Sequence, residues 1–85
     1  MNAKIVLGNA VGAVEERRKD YGNPAEFFRM LARRWSLTLG HEVTPEQVVL
    51  CLIDLKHERL RRNPAHRDSL VDVAGYAACL AELAR

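Results

Sequence analysis

Residues 56–76, KHERLRRNPAHRDSLVDVAGY, connect the two most apolar segments of this 85-residue chain. On both sides of the stretch, apolar residues recur at the three- and four-residue spacing of an α-helix. Between them stand Asn63 and Pro64, a capping residue followed by a proline suited to the first helical position. The stretch therefore predicts two helices joined by a short turn. The second of them begins near Pro64 or after a short break near Asp68.

The same start signal occurs twice more, as Asn23-Pro24 and Thr44-Pro45, and a glycine ends the helix that precedes each of these pairs. No strand pattern or internal repeat is visible in the sequence. The sequence therefore predicts an all-α fold. We expect residues 1–85 to form one compact, antiparallel bundle of four helices with short connections.

Each predicted helix has an apolar face. Because so short a chain buries only a modest part of its surface, self-association is expected, and Met30 and Leu37 could form a subunit contact. The residues predicted to form these faces are Leu7, Val11 and Val14, with Ala10 beside them, on the first helix, Phe27, Phe28, Leu31, Trp35 and Leu39 on the second, Val48, Val49, Leu52, Ile53, Leu55 and Leu60 on the third, and Leu70, Val73, Ala74, Ala77, Ala81 and Ala84 on the fourth.

Composition excludes several classes of protein. With 48% apolar and 28% charged residues, the chain is globular and not disordered. The net charge of +2 is too small to indicate nucleic acid, and no aromatic residues interleave with Arg29 and Arg33. Cys51 and Cys79 fall in apolar helical runs, as buried thiols do in a reducing compartment. No membrane span or signal peptide is recognised, so we expect a cytoplasmic protein without a membrane partner.

Two charged residues on the third helix are out of place. At about 100° per residue, Lys56 and Arg59 bracket the middle of its apolar face, while Asp54 and Glu58 point to the opposite side with His57. Burial of a cation costs several kcal/mol unless the cation is paired or faces a ligand. Lys56 and Arg59 therefore need a partner, whereas the acidic pair is interpreted as solvated.

The fourth helix supplies partners, because Asp68 and Asp72 lie one turn apart on it and Tyr76 flanks them. One interpretation is an interior ion-pair network. The other is a polar pocket between helices three and four, in which cations hold a phosphate, carboxylates hold a cation or ribose, and an aromatic ring stacks on a base. The sequence does not decide between the ion-pair network and the polar pocket. The candidate ligand-binding residues are Lys56, Arg59, Asp68, Asp72, Tyr76, Tyr21 and His66.

No catalytic residue or metal ligand is assigned. The three histidines do not converge on one another, and a metal site needs three or four converging ligands. No serine or cysteine stands at a recognisable spacing from a base.

Much of the chain, roughly residues 13–80, resembles a small all-α domain of unknown function that phages and prophages encode. Phe27 departs from that family, which often has asparagine there. The residues that carry the resemblance are Glu16-Arg17, Tyr21-Gly22, Pro24, Phe28, Trp35, Thr44-Pro45, Lys56-x-x-Arg59-Leu60, Asn63, His66-Arg67-Asp68-Ser69 and Asp72-x-Ala74-Gly75-Tyr76.

A more distant likeness is to the all-α nucleoside triphosphate pyrophosphatases of the MazG type. These enzymes hold magnesium with E-x-x-E on one helix and E-x-x-D on the next. Asp72 matches the final aspartate of that pattern, but Ser69 and Lys19 stand where glutamates belong. The likeness therefore implies a degenerate member that binds nucleotides without hydrolysing them.

These observations favour a phage-type, oligomeric protein that binds a phosphorylated small molecule, with a nucleotide as the leading class. The alternatives are a magnesium-dependent pyrophosphohydrolase and a non-catalytic structural or protein-interaction module. Magnesium is expected as a cofactor only if the protein is a pyrophosphohydrolase. The sequence does not decide whether the protein is an enzyme.

Overall fold

Four helices make up most of the chain in a computed structural model, which describes residues 1–84. They are α1 (Ala3–Tyr21), α2 (Pro24–Leu39), α3 (Pro45–Arg62) and α4 (Arg67–Leu83). No strand occurs among the described residues. The prediction of an all-α fold with four helices and short connections is confirmed.

Local side-chain hydrogen bonds explain where the helices begin. Asn23 Oδ1 accepts hydrogen bonds from the backbone N–H groups of Ala25 and Glu26, at 2.8 and 3.3 Å. Thr44 and Gln47 form a reciprocal capping box, with bonds of 2.9 and 3.1 Å. These bonds satisfy N–H groups that have no partner inside the helix.

Glycines end the first two helices. Gly22 and Gly40 have φ angles of +79° and +77°, a conformation that glycine adopts without the steric cost of a Cβ. Each donates its backbone N–H to a carbonyl four residues earlier, that of Arg18 and Ser36 respectively. The predicted boundaries at these two glycines are confirmed.

The connection between α3 and α4 follows the second of the two predicted alternatives. Asn63 ends α3 by donating its N–H to the Arg59 carbonyl, and its side chain accepts from the N–H of Ala65. The N-cap of α4 is instead His66, whose ring nitrogen Nδ1 accepts from the N–H of Ser69 at 3.3 Å. Helix α4 therefore begins at Arg67, after a short break.

Helix α4 is central, since it packs against each of the other three helices, while α1 and α2 touch only slightly. Val48 and Val49 of α3 are completely buried. The main apolar core lies between α2, α3 and α4, and its buried members are Ala25, Phe28, Ala32, Val43, Val48, Val49, Cys79 and Leu83.

The predicted apolar face of α1 is wrong in part. Leu7 and Val11 are 60% and 62% exposed, whereas Ala10 is buried and Val14 and Arg17 are half-buried. At about 100° per residue, the observed face lies nearly a quarter turn from the predicted one. The physical reason is that α1 has one main neighbour, α4, and turns towards it the side that carries Arg17.

The predicted face of α4 is also wrong in part, because Ala77, Ala81 and Ala84 are exposed. The helix instead buries the opposite stripe, whose small residues let three helices approach: Ser69, Val71, Gly75, Cys79 and Leu83. Other predicted core positions that lie on the surface are Phe27, Leu39 and Leu55, and Cys51, expected to be buried, is exposed on the outer side of α3.

Candidate functional site

A three-residue ion cluster joins α1, α3 and α4. Asp72 accepts from Arg17 Nη2 through Oδ1 at 3.0 Å and from Lys56 Nζ through Oδ2 at 2.9 Å. The Lys56 and Asp72 side chains are 13% and 20% exposed, and the Arg17 side chain is 36% exposed. The predicted pairing of Lys56 with Asp72 is present. The second cation that contacts Asp72 is Arg17 of α1 and not Arg59, which the sequence predicts.

The charges of this cluster do not cancel. One carboxylate stands between two cations, so the cluster keeps a net charge of +1. Each carboxylate oxygen of Asp72 contacts one of the two cations. The partial burial of the cluster reduces screening by water and salt. The arrangement therefore holds a fixed positive charge at the α1–α4 contact.

Tyr76 covers the Arg17 guanidinium. Arg17 Cζ lies 5.1 Å from the centre of the Tyr76 ring, within the range of a cation–π interaction. The same ring meets Phe28 edge-on, with 6.5 Å between ring centres. Arg17 Nη1 is buried and has no hydrogen-bond partner among the described residues. The guanidinium is thus held in place by Asp72 and Tyr76 with part of its donor capacity unused.

A cavity of about 250 Å³ opens beside this guanidinium. It does not lie between α3 and α4, where the sequence predicted a pocket. Those two helices are joined there by the Lys56–Asp72 ion pair. The cavity is instead enclosed by residues of all four helices and the α1–α2 turn, which are Val14, Arg17, Tyr21, Gly22, Pro24, Phe27, Phe28, Leu31, Leu52, Tyr76 and Cys79.

The walls of the cavity are mainly aromatic and aliphatic. Tyr21 and Phe27 stand with ring centres 5.4 Å apart, and Phe27 meets Phe28 edge-on at 5.2 Å. Burial raises the pKa of the Cys79 thiol, so this wall residue stays neutral near pH 7. Such a lining, with one guanidinium on its wall, suits a flat apolar ring that carries a negative group.

Of the seven candidate residues, Lys56, Asp72 and Tyr76 are brought together, and Tyr21 joins Tyr76 at the cavity. Arg59 and Asp68 are exposed and form no ion pair within residues 1–84, so the predicted contact between them and the cluster is absent. They lie in the last turn of α3 and the first turn of α4, where both side chains are exposed to water.

His66 has a local structural contact. Its Nδ1 lies 2.7 Å from the Ser69 hydroxyl and accepts from the Ser69 N–H, so the ring is engaged in capping α4. It does not line the cavity. Among residues 1–84, no group of three histidine, cysteine or acidic side chains is arranged to hold a metal ion.

The solvated acidic side of α3 is confirmed. Asp54, His57 and Glu58 are exposed. Glu58 is bonded to Arg61 at 2.8 Å, and these hydrogen bonds lower the pKa of the Glu58 carboxyl. The pair lies at the surface and has no part in the cavity.

Arg17 is the residue that sequence reasoning missed, because the run of charged residues 15–19 in which it stands is typical of a solvated face. A signal was present. Ala10, Val14 and Arg17 stand at i, i+4 and i+7, the spacing of one helix face. That face competes with the one formed by Leu7 and Val11, and the larger side chains favoured the wrong choice.

Comparison with known proteins shows the family. Residues 5–84 match the model of a domain of unknown function, DUF6378. The chain is 39% identical over 69 residues to the Gene 55 protein of Mycobacterium phage L5, a match that covers 80% of this chain and 44% of that protein. It is 40% identical over 65 residues to the Gene 55 protein of Mycobacterium phage D29, covering 76% and 43%.

The chain therefore spans less than half the length of these two relatives. No solved structure matches it at a significant level. No helix among the described residues is long and apolar enough to span a membrane. The predicted resemblance to a small phage domain is confirmed, and the chain belongs to the DUF6378 family of domains of unknown function.

Proposed function

We propose that this domain binds a small phosphorylated molecule, with a nucleotide as the leading class, and that the ring of the ligand enters the cavity beside Tyr76. One observation carries the proposal. The aromatic-lined cavity has a guanidinium on its wall that is held by an ion cluster and by a tyrosine ring. The proposed site is lined by residues of all four helices and the α1–α2 turn, and it replaces the pocket predicted between helices three and four.

The cavity size supports a compact ligand. Small-molecule pockets usually measure about 300–1,000 Å³, and this cavity is slightly below that range. One ring system therefore fits inside, while the polar part of the ligand remains at the mouth. Tyr21 is largely exposed there and is available to contact the ring.

The aromatic walls support a ring and not an aliphatic chain. Stacking of a base on an aromatic side chain contributes about 1–3 kcal/mol per base. Tyr76 of α4 and Phe27 of α2 offer such rings in the cavity lining. Lys56 and Asp72 are engaged with each other, so their role in this proposal is to fix the cavity wall.

The test is a thermal-shift and calorimetric screen of the whole chain with nucleosides, their mono-, di- and triphosphates and cyclic dinucleotides, each with and without Mg²⁺. A ligand at a hundred times its Kd stabilises the folded state by about 2.7 kcal/mol. Tyr76→Leu should weaken binding by about tenfold through loss of the ring, whereas Tyr76→Phe should retain most of it. Leu37→Ala, on an exposed position outside the cavity lining, is the matched control.

The screen also separates the alternatives. A panel without any shift would overturn the proposal and favour a structural or protein-interaction module. Release of inorganic pyrophosphate from a nucleoside triphosphate in the presence of Mg²⁺ would instead identify a pyrophosphohydrolase. Both measurements use the same protein and the same nucleotides.

The interaction module is the second candidate, because large apolar side chains are exposed on three helices. They include Ile5, Leu7 and Val11 on α1, Met30, Leu37 and Leu39 on α2, and Leu50 and Leu55 on α3. Such side chains contribute to protein–protein contacts when they form one patch. Light scattering tests the expected homo-oligomer. A monomeric mass at high protein concentration would contradict that expectation.

A further inference from the structure

We infer that Arg17 binds the anionic group of the ligand and that the cavity selects a ligand with one phosphate next to its ring, the class of a nucleoside monophosphate. This inference rests on the proposed function. It goes further in naming the contact residue and in distinguishing a monophosphate from a triphosphate.

The first argument is the unused donor capacity of Arg17. A guanidinium has five N–H hydrogens, and the bond to Asp72 Oδ1 is the one hydrogen bond that the Arg17 side chain donates within the described residues. Nη1 is buried without an acceptor. The side chain as a whole is 36% exposed, so an oxyanion at the cavity wall would accept from the guanidinium N–H groups that remain accessible.

The second argument is that the guanidinium is already oriented. Asp72 holds Nη2, and the Tyr76 ring covers the planar face. An arginine that is held in this way loses less side-chain entropy when it binds an anion. Lys56 occupies the other oxygen of Asp72 and offsets its charge, so the guanidinium still attracts a negative group.

The third argument is the amount of positive charge. Arg17 is the one cationic residue among those that line the cavity. The cluster behind it adds one positive and one negative charge, so the site offers a net charge of +1. A phosphate monoester carries about −1.5 to −2 charges at neutral pH. One such group matches the site, whereas the outer phosphates of a triphosphate would meet no further cation of the lining.

The experiment is isothermal titration calorimetry at low salt in EDTA, with the nucleoside, monophosphate and triphosphate of adenine, guanine, cytosine and thymine. For the base that binds best, we expect the monophosphate to bind about 10- to 100-fold more tightly than the nucleoside. We expect the triphosphate to bind no more tightly than the monophosphate.

Variants assign the difference to Arg17. Arg17→Gln should reduce monophosphate affinity to that of the nucleoside while the nucleoside affinity changes little. Arg17→Lys should give an intermediate monophosphate affinity, because the charge remains and the paired donors are lost. Arg18→Gln, which removes the neighbouring arginine bonded to Glu82, is the control and should leave both affinities unchanged.

The outcomes distinguish this inference from the proposed function. Equal affinity of the wild-type chain for nucleoside and monophosphate would overturn the role of Arg17, although the cavity would still bind a ring. A triphosphate that binds tenfold more tightly than the monophosphate would overturn the single-phosphate selection. Absence of binding by every nucleoside and nucleotide would overturn the proposed function itself. The wild-type comparisons need no variant to fold.

Discussion

The two sides of α4 are stabilised by different physics. Towards α2 and α3 it meets an apolar core in which Val48 and Val49 are completely buried and Phe28 is nearly so. Towards α1 it meets one buried alanine, Ala10, together with the Arg17–Asp72 ion pair. The first side is held together by apolar packing, whereas the second places a fixed charge beside the cavity.

This difference indicates which side stabilises the fold and which is available for a ligand. Burial of a valine or phenylalanine side chain contributes about 1.5–3 kcal/mol. A partly buried ion pair roughly breaks even, because the attraction is offset by the loss of hydration. The α1–α4 junction therefore contributes a defined arrangement of groups more than free energy of folding, as a binding site requires.

The largest expected effect is on the core side. Phe28→Ala should lower the free energy of unfolding by about 3–5 kcal/mol, since it removes a buried aromatic ring and leaves a void. Phe27→Ala is the matched control, because Phe27 lines the same cavity but is 37% exposed, and it should cost about 1 kcal/mol or less. Urea unfolding measures both. Equal losses of unfolding free energy would show that Phe27 is packed as tightly as Phe28.

At the polar junction, Asp72→Ala should cost about 1–3 kcal/mol, because it leaves Lys56 and Arg17 without their acceptor. The cost stays below that of a fully buried pair because Arg17 is about a third exposed.

The companion variant replaces all three charges at once, as Arg17→Met, Lys56→Met and Asp72→Leu. Its free energy of unfolding should lie within about 1 kcal/mol of the wild-type value, since no unpaired charge remains. It should also lose any preference for a phosphorylated ligand. A strongly destabilised triple variant would show that the ion cluster stabilises the fold by itself.

A smaller effect is expected at the start of α3, on the core side. Thr44→Ala removes one half of the capping box with Gln47 and should cost about 1 kcal/mol. Thr44→Ser keeps the hydroxyl and is the control. The thermal midpoint should be highest for the wild type, lower for the serine variant and lowest for the alanine variant. An alanine variant with an unchanged midpoint would contradict the role of the cap.

The smallest effect is expected where α1 crosses α4. A Cβ on Gly75 would lie 3.6 Å from Val14 Cγ2 and 3.7 Å from Arg17 Nη1, which are ordinary van der Waals distances. Gly75→Ala should therefore be neutral or stabilising by up to about 1 kcal/mol, because alanine favours the helix. A loss of more than about 1 kcal/mol would show that the α1–α4 contact has no space for a methyl group.

The helices and their ends could be predicted because they depend on residues close together in sequence. The caps at Asn23 and Thr44, and the glycines at positions 22 and 40, act through backbone groups at most four residues away. The buried face of α3 was also recognised in large part, since Val48 and Val49 belong to one dense apolar stripe.

The candidate site could be predicted in part. Lys56 and Asp72 were identified because a charge on an apolar face needs a partner, and the structure pairs them. Arg59 is equally well placed on the helical wheel, but it lies in the last turn of α3 and its side chain is exposed to water. A wheel describes direction around a helix and contains no information on which neighbouring side chains lie at each level along it.

The sequence by itself determined four helices, their boundaries and a charged pair that had to meet inside the bundle. Only the tertiary structure decided which face of α1 is buried and that Arg17, 55 positions away in sequence from Asp72, completes the cluster. The reason is that the face of α1 with the larger apolar side chains, Leu7 and Val11, is not the face that packs against α4. Its choice between them depends on Asp72 and Gly75 of α4, contacts that no local pattern specifies.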